Sequence, residues 1–136
     1  MLVSRLAEQS AVVALSRSPR QSTDGVRWVK ADLFSLLDCE EAMAGADRVI
    51  YLVHSMSPQS RLTQARFDEL DLVLADNMRR AMDAAGTSHI VFLGGLGAHQ
   101  DESILSRHLV SRQEVGAVLG SGRATITELR AGLVIG

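Results

Sequence analysis

The hydrophobic and polar positions of this chain follow two periods, one typical of strands and one typical of helices. The strand-like runs are short, and the most apolar of them, DRVIYLV, has hydrophobic residues at nearly every position. The helix-like stretches repeat their apolar residues at every third or fourth position. The predicted strands are Ala11–Ser16, Val26–Ala31, Asp47–Val53, His89–Leu93 and Thr125–Ile135. The predicted helices are Met1–Gln9, Leu36–Ala44, about Leu62–Ala85 and about Leu105–Leu119.

Local signals mark the ends of two of these helices. Ser35 is a predicted N-cap for Leu36–Ala44, and Asp38 stands three residues later, at the capping-box position. Gly45 follows the same helix as a left-handed stop, and Gly86 ends the long third helix. The sequence therefore predicts both helices from their boundaries as well as from their periodicity.

Strands that alternate with helices form parallel sheets with right-handed crossovers. We therefore predict the α/β class, with a doubly wound, Rossmann-like parallel sheet in one domain that spans residues 1–136. In such sheets a ligand binds at the carboxyl ends of the strands, so the chemistry is expected just after each strand. The residues at these positions are Arg17, Asp32, His54, Gly94 and Gly136.

The predicted first helix begins at the start of the printed sequence. In mononucleotide-binding units the corresponding helix receives a pyrophosphate, and a strand with a G-x-G-x-x-G turn precedes it. We expect a partial domain that lacks this strand and glycine loop, with open edges on Ala11–Ser16 and Asp47–Val53. A truncated gene model, a fragment and a chain complemented by another polypeptide are all open interpretations. We favour a fragment, which by itself is not expected to hold a dinucleotide.

Composition narrows the class of protein and its partners. The chain has 136 residues, of which 46% are hydrophobic and 22% charged, which is typical of a globular domain. A net charge of −2 argues against nucleic acid and against an anionic membrane as partners. The single cysteine, Cys39, excludes an internal disulfide and fits a reducing compartment. No apolar run has the ~20 residues of a membrane span, so we expect a cytoplasmic protein.

The segment that follows the first predicted strand is basic. It reads Ser16-Arg17-Ser18-Pro19-Arg20 and has no acidic residue before Asp24. In dinucleotide-binding domains an acidic residue here bonds the adenosine ribose, whereas arginine accommodates a 2′-phosphate. A solvated surface loop is an equally good interpretation of the spacing alone. Asp32 and Leu33, after the second strand, either hold the edge of an adenine or begin the turn towards Ser35.

Several blocks together resemble a known family. They are Ala14–Ser18, Val29–Leu33, Gly45–Asp47 leading into Tyr51–Met56, then Phe92-Leu93 and Thr127–Gly132. The chain resembles an atypical short-chain dehydrogenase/reductase, and more narrowly the NmrA-like NAD(P)-binding proteins with a Tyr-Leu-Val-His-Ser-Met block. Against the pattern of this family, we expect the first strand, the glycine loop and the segments after Gly136 to be missing.

The resemblance implies a nicotinamide dinucleotide as ligand, NADP more than NAD, with Arg17 and Arg20 at the 2′-phosphate and Asp32 and Leu33 at the adenine. The ribose and nicotinamide would be lined by two strand-end segments: Val53, His54 and Ser55, and Gly94, Gly95 and Leu96. The implied function is the NAD(P)H-binding domain of an atypical reductase-like protein. The alternative is a non-enzymatic sensor or scaffold that binds the dinucleotide and signals to a protein partner that the sequence does not identify.

The usual catalytic pair of this family is missing. Its Tyr-x-x-x-Lys motif cannot form, because Tyr51 and Lys30 are the only tyrosine and lysine and lie in different predicted strands. At the corresponding place the helix reads from His108 to Arg112. His108 is a candidate proton donor and Arg112 a candidate anion contact, but we favour a structural role for both. Asn77, inside the long helix, is either a kink residue or a polar lining group. No catalytic residue is assigned.

Two other chemistries lack support in the sequence. The four histidines have no spacing typical of metal ligands, so no metal site is predicted. No G-x-S-x-G segment is present, which argues against an α/β hydrolase.

Overall fold

The computed structural model describes residues 2–53, 64–95 and 107–131, and contains the predicted elements in the predicted order. The first half consists of α1 (Leu2–Ala7), β1 (Val12–Ser16), β2 (Val26–Lys30) and α2 (Leu36–Met43). The second half consists of β3 (Arg48–Tyr51), α3 (Gln64–Ala85), β4 (His89–Gly95), α4 (Arg107–Gly120) and β5 (Thr125–Ala131). The α/β class predicted from the sequence is confirmed.

The strands form two parallel sheets. β1 pairs with β2 from Val12↔Val26 to Ser16↔Lys30. β4 lies between β3 and β5 in the order β3-β4-β5. Within the described residues no strand pairs with the other edge of β1 or of β3. This agrees with the open edges expected for these two strands.

α2 begins as its sequence predicts. The Ser35 hydroxyl accepts a hydrogen bond from the Asp38 N–H at 3.2 Å and donates one to the Asp38 carboxylate at 2.8 Å. In a standard capping box the Asp38 carboxylate would accept a hydrogen bond from the N–H of Ser35. Here Asp38 Oδ2 instead accepts one from the N–H of Asp32, at 2.9 Å. The cap therefore also fastens the start of the turn that follows β2. Gly45 follows the helix with φ 75°, as predicted.

One hydrophobic core joins the two sheets. Side chains of α2, α3 and α4 pack in a single cluster with Val49 and Tyr51 of β3 and with Ile90 and Phe92 of β4. Ala31 belongs to the same cluster, and Leu15 of β1 packs against it. The most completely buried large side chains are Phe92, Met82, Ile90, Leu119, Val115 and Cys39.

The helices cover one face of the second sheet. In β3, Val49 and Tyr51 are buried, whereas the alternate residues Arg48 and Ile50 are exposed, as the two-residue period of a strand requires. Leu93 of β4 and Leu129 of β5 are exposed as well. α2, α3 and α4 therefore pack on one face of the second sheet, and the opposite face exposes apolar side chains.

Candidate functional site

The basic segment after β1 is held by the end of β1 and by a neighbouring ring. Ser16 Oγ accepts a hydrogen bond from the Ser18 N–H and another from Arg20 Nε, both at 3.3 Å. The Arg20 guanidinium lies 4.8 Å from the centre of the Trp28 ring, a cation–π contact. Arg17 and Arg20 are both exposed. Arg20 is thus oriented at the carboxyl end of β1 while its charge stays accessible to a ligand.

Asp32, directly after β2, builds the turn into α2. Its Oδ1 accepts the Phe34 N–H at 3.0 Å, and its carbonyl accepts the Ser35 N–H at 2.9 Å. The backbone bond from Asp32, followed by the Ser35 hydroxyl bond, lowers the pKa of Asp38, because both bonds favour the carboxylate. Of the two sequence interpretations of Asp32, the structure shows the turn. An adenine contact stays a prediction.

Asn77 fixes the segment after β2 from the opposite side. Its Nδ2 donates to the carbonyl oxygens of Leu33 at 2.9 Å and of Phe34 at 3.1 Å. Asn77 is buried on α3, whereas Leu33 and Phe34 belong to the connection between β2 and α2. The amide therefore ties the end of the first sheet to a helix packed on the second. The only sequence signal for this role is a polar residue on the apolar face of a long helix.

Arg112 performs a similar task at the ends of β3 and β4. Its Nη1 donates to the Val53 carbonyl at 3.0 Å, and its Nη2 donates to the Leu93 carbonyl. The guanidinium also lies 4.6 Å from the centre of the Phe92 ring. Burial lowers the pKa of Arg112, partly offset by the charges of Asp71 and Glu128. From the sequence, Arg112 is either an anion contact beside His108 or a structural residue of the same helix, and these bonds show a structural role.

Gly94 and Gly95 are the last residues of β4 and stand in close contact with neighbouring elements. A Cβ on Gly94 would collide with the Glu128 carboxylate, and one on Gly95 would collide with the Leu109 side chain. The Glu128 and Leu109 side chains therefore already occupy the space beside these glycines and would have to move to admit a larger residue. A role for them beside a cofactor stays a prediction.

The predicted cofactor residues are only partly within the described part of the chain. The structure brings Val53 and the end of β4 together through Arg112, and places Arg17 and Arg20 at the end of the other sheet. His54, Ser55 and Leu96 lie outside the described residues, as does the side chain of His108.

An acid–base pair of the usual type is absent from the described residues. Tyr51 is 2% exposed in β3, and burial raises its pKa above the ordinary value. Lys30 ends β2 in the other sheet.

Among the described side chains no group of three or more histidine, cysteine or acidic residues is arranged for a metal ion. Nor does this part of the chain contain a helix of the length and apolarity needed to cross a bilayer.

The fold and the strand-end arrangement define a nucleotide-binding α/β domain. A model of the NAD(P)H-binding family matches residues 1–132, and the chain belongs to this family. No curated protein is significantly similar to the chain in sequence.

Similar solved structures include the Citrobacter sp. triphenylmethane reductase complexed with NADP(H), with a TM-score of 0.73 and 19% identity over 97% of this chain and 45% of that one. MoeE5 in complex with UDP-glucuronic acid and NAD has a TM-score of 0.73 and 20% identity, over 95% of this chain and 49% of that one. The UDP-N-acetylglucosamine 4-epimerase from Bacillus cereus has a TM-score of 0.68 and 18% identity, over 93% and 51%. The chain thus spans about half the length of these proteins. They confirm the predicted Rossmann-like fold.

Proposed function

We propose that this chain is the dinucleotide-binding domain of an atypical reductase-like protein that prefers NADP(H) to NAD(H). The observation that carries the proposal is the orientation of Arg20 by Ser16 and Trp28 at the end of β1. A guanidinium held in this way meets a phosphate with less loss of side-chain entropy than a free one. The NADP(H) complex of the triphenylmethane reductase supports the choice of cofactor, while the NAD complex of MoeE5 keeps it open to test.

In this proposal the adenosine half lies over the first sheet. Arg17 and Arg20 contact the 2′-phosphate, and the turn at Asp32 and Leu33 borders the adenine. The exposed guanidinium groups of a segment without acidic residues fit a phosphate dianion.

The nicotinamide half lies over the second sheet. The segments Val53–Ser55 and Gly94–Leu96 line the ribose and the nicotinamide. When bound, a reduced nicotinamide supplies a hydride. The residues of this chain bind and orient the dinucleotide, and residues 1–136 act as one domain in the cytoplasm.

A second candidate function is a non-enzymatic sensor or scaffold of the NmrA type. It is favoured by one observation: Tyr51 and Lys30, the only tyrosine and lysine of the chain, lie in separate sheets. Turnover of NADPH with carbonyl or quinone acceptors by the full-length protein distinguishes the two. Oxidation of NADPH supports the reductase, and binding without oxidation supports the sensor.

The cofactor preference is tested by Arg17→Glu in the full-length protein. We expect NADPH binding to weaken about tenfold or more, the loss of one charge-assisted hydrogen bond, and NADH binding to stay nearly unchanged. Arg48→Glu is the matched control. Arg48 is also exposed, but it lies at the amino end of β3, away from the carboxyl ends of the strands where the ligand is expected. Calorimetric titration measures both cofactors. Equal losses for NADPH and NADH would contradict the assignment of Arg17.

A further inference from the structure

The buried arginine of α4 extends the link between β3 and β4 beyond their last backbone pair. That pair is Tyr51↔Phe92, after which β4 continues in register with β5 alone. Val53 and Leu93 lie past this point, and the Arg112 guanidinium donates to the carbonyls of both. One rigid fork thus sets the separation of the two chain segments that leave the sheet here.

Burying this guanidinium has an energetic cost as well as a geometric effect. Arg112 is 8% exposed, and taking a guanidinium out of water is costly even when hydrogen bonds and countercharges offset the cost. Asp71 and Glu128 provide part of that offset, and the Phe92 ring provides another. An apolar side chain of similar size would fill the same space without desolvating a charge. Such a side chain would leave the Val53 and Leu93 carbonyls without these donors and without the geometric constraint of the guanidinium.

These two carbonyls belong to the strand ends assigned above to the nicotinamide half of the ligand. We propose that Arg112 is a positioning residue for the nicotinamide and its ribose, acting through the backbone of Val53 and Leu93 without touching the ligand. The proposal rests on the proposed function and adds separate roles for the arginines of the two sheets. Arg17 and Arg20 on the first sheet hold the adenosine phosphate, and Arg112 shapes the other half of the site.

The test compares the binding of a whole dinucleotide with the binding of its adenosine half. NADPH spans both halves, whereas 2′,5′-ADP carries only the adenosine 2′-phosphate half. Both are titrated against the full-length wild-type protein, Arg112→Met and Arg112→Lys. Arg79→Met serves as the control, because the side-chain hydrogen bonds that the structure shows for Arg79 go to Asp76 and Asp83 on its own helix, α3. The thermal midpoint of each variant is recorded.

We expect Arg112→Met to weaken NADPH about tenfold while 2′,5′-ADP binds as it does to the wild type. Arg112→Lys keeps the charge but not the fork, so we expect it to recover part of the NADPH affinity. Should the methionine variant not fold, the lysine variant carries the test by the same NADPH-selective loss. A general loss of packing would weaken both ligands together.

Two outcomes overturn the proposal while leaving the proposed function intact. One is an equal loss of NADPH and 2′,5′-ADP affinity in the Arg112 variants. The other is NADPH affinity unchanged in a folded Arg112→Met or Arg112→Lys protein. If the wild type binds neither ligand, the proposed function itself fails.

Discussion

Asn77 offers a quantitative test of how the two sheets are held together. Its amide donates two hydrogen bonds, to the Leu33 and Phe34 carbonyls. At a net 0.5–1.5 kcal/mol for each bond, Asn77→Ala should lower the free energy of unfolding by about 1–3 kcal/mol. Phe34 is half exposed, so water can reach its surroundings, which favours the lower part of this range.

Asn77→Asp is the sharper change, because it keeps the size of the side chain and removes both donors. An ionised carboxylate would face two carbonyl oxygens, so we expect a larger loss than for Asn77→Ala at neutral pH. Protonation restores one donor, which raises the pKa of the new carboxyl in the folded state. The variant is therefore most stable relative to wild type below the ordinary pKa of about 3.9, and it loses that stability as the pH rises through the folded-state pKa.

Urea unfolding, followed by the fluorescence of Trp28 and by circular dichroism, measures these differences. Arg80→Ala is the control on the same helix, at an exposed position, and should change stability by no more than about 0.5 kcal/mol. An Asn77→Ala protein as stable as the control would refute the role assigned to this amide. So would an Asn77→Asp protein whose stability relative to wild type does not depend on pH.

Two further predictions follow from burial. Burial, followed by the charge of Asp38, raises the pKa of the Cys39 thiol to about 11, so the folded protein should resist thiol reagents at neutral pH and react only on unfolding. Because that pKa lies above the ordinary 9.0, the neutral thiol is the form that the fold favours, and its contribution to stability is lost between pH 9 and 11. Fast labelling of the folded protein would contradict the placement of Cys39. Tyr51→Phe keeps the ring contact with Phe92 and should leave any turnover unchanged. Lost turnover with unchanged cofactor affinity and Tm would show that the hydroxyl takes part in the reaction.

The elements and the local caps were predictable because their causes are local. The periodicity of apolar residues gives the helices and strands, and the Ser35 cap needs only residues within one turn. The edges of β1 and β3, which no strand pairs with in the described residues, were also predictable, since the usual strand order of dinucleotide-binding sheets places a further strand between them. The contacts that shape the strand ends were not predictable. Asn77 and Leu33 are 44 residues apart, and Arg112 and Val53 are 59 residues apart. Only the packed fold brings such pairs together.

Asp32 is a residue whose role the sequence alone does not decide. The sequence leaves an adenine contact and a turn equally open, because aspartate after a strand suits both. The structure shows the turn, through the bond from the Phe34 N–H to the Asp32 carboxylate, and the adenine contact stays a prediction. The position of the 2′-phosphate depends instead on a ligand and needs a binding measurement.

That measurement is a fluorescence titration of the full-length protein with NADPH and with NADH. Trp28 lies beneath Arg20, so ligand binding at this end should change its emission, and energy transfer to a reduced nicotinamide should accompany it. Trp28→Phe identifies the share of the signal that comes from this residue. The account predicts saturable binding with NADPH tighter than NADH by about tenfold or more. Absence of binding, or NADH affinity equal to or higher than that of NADPH, would contradict it.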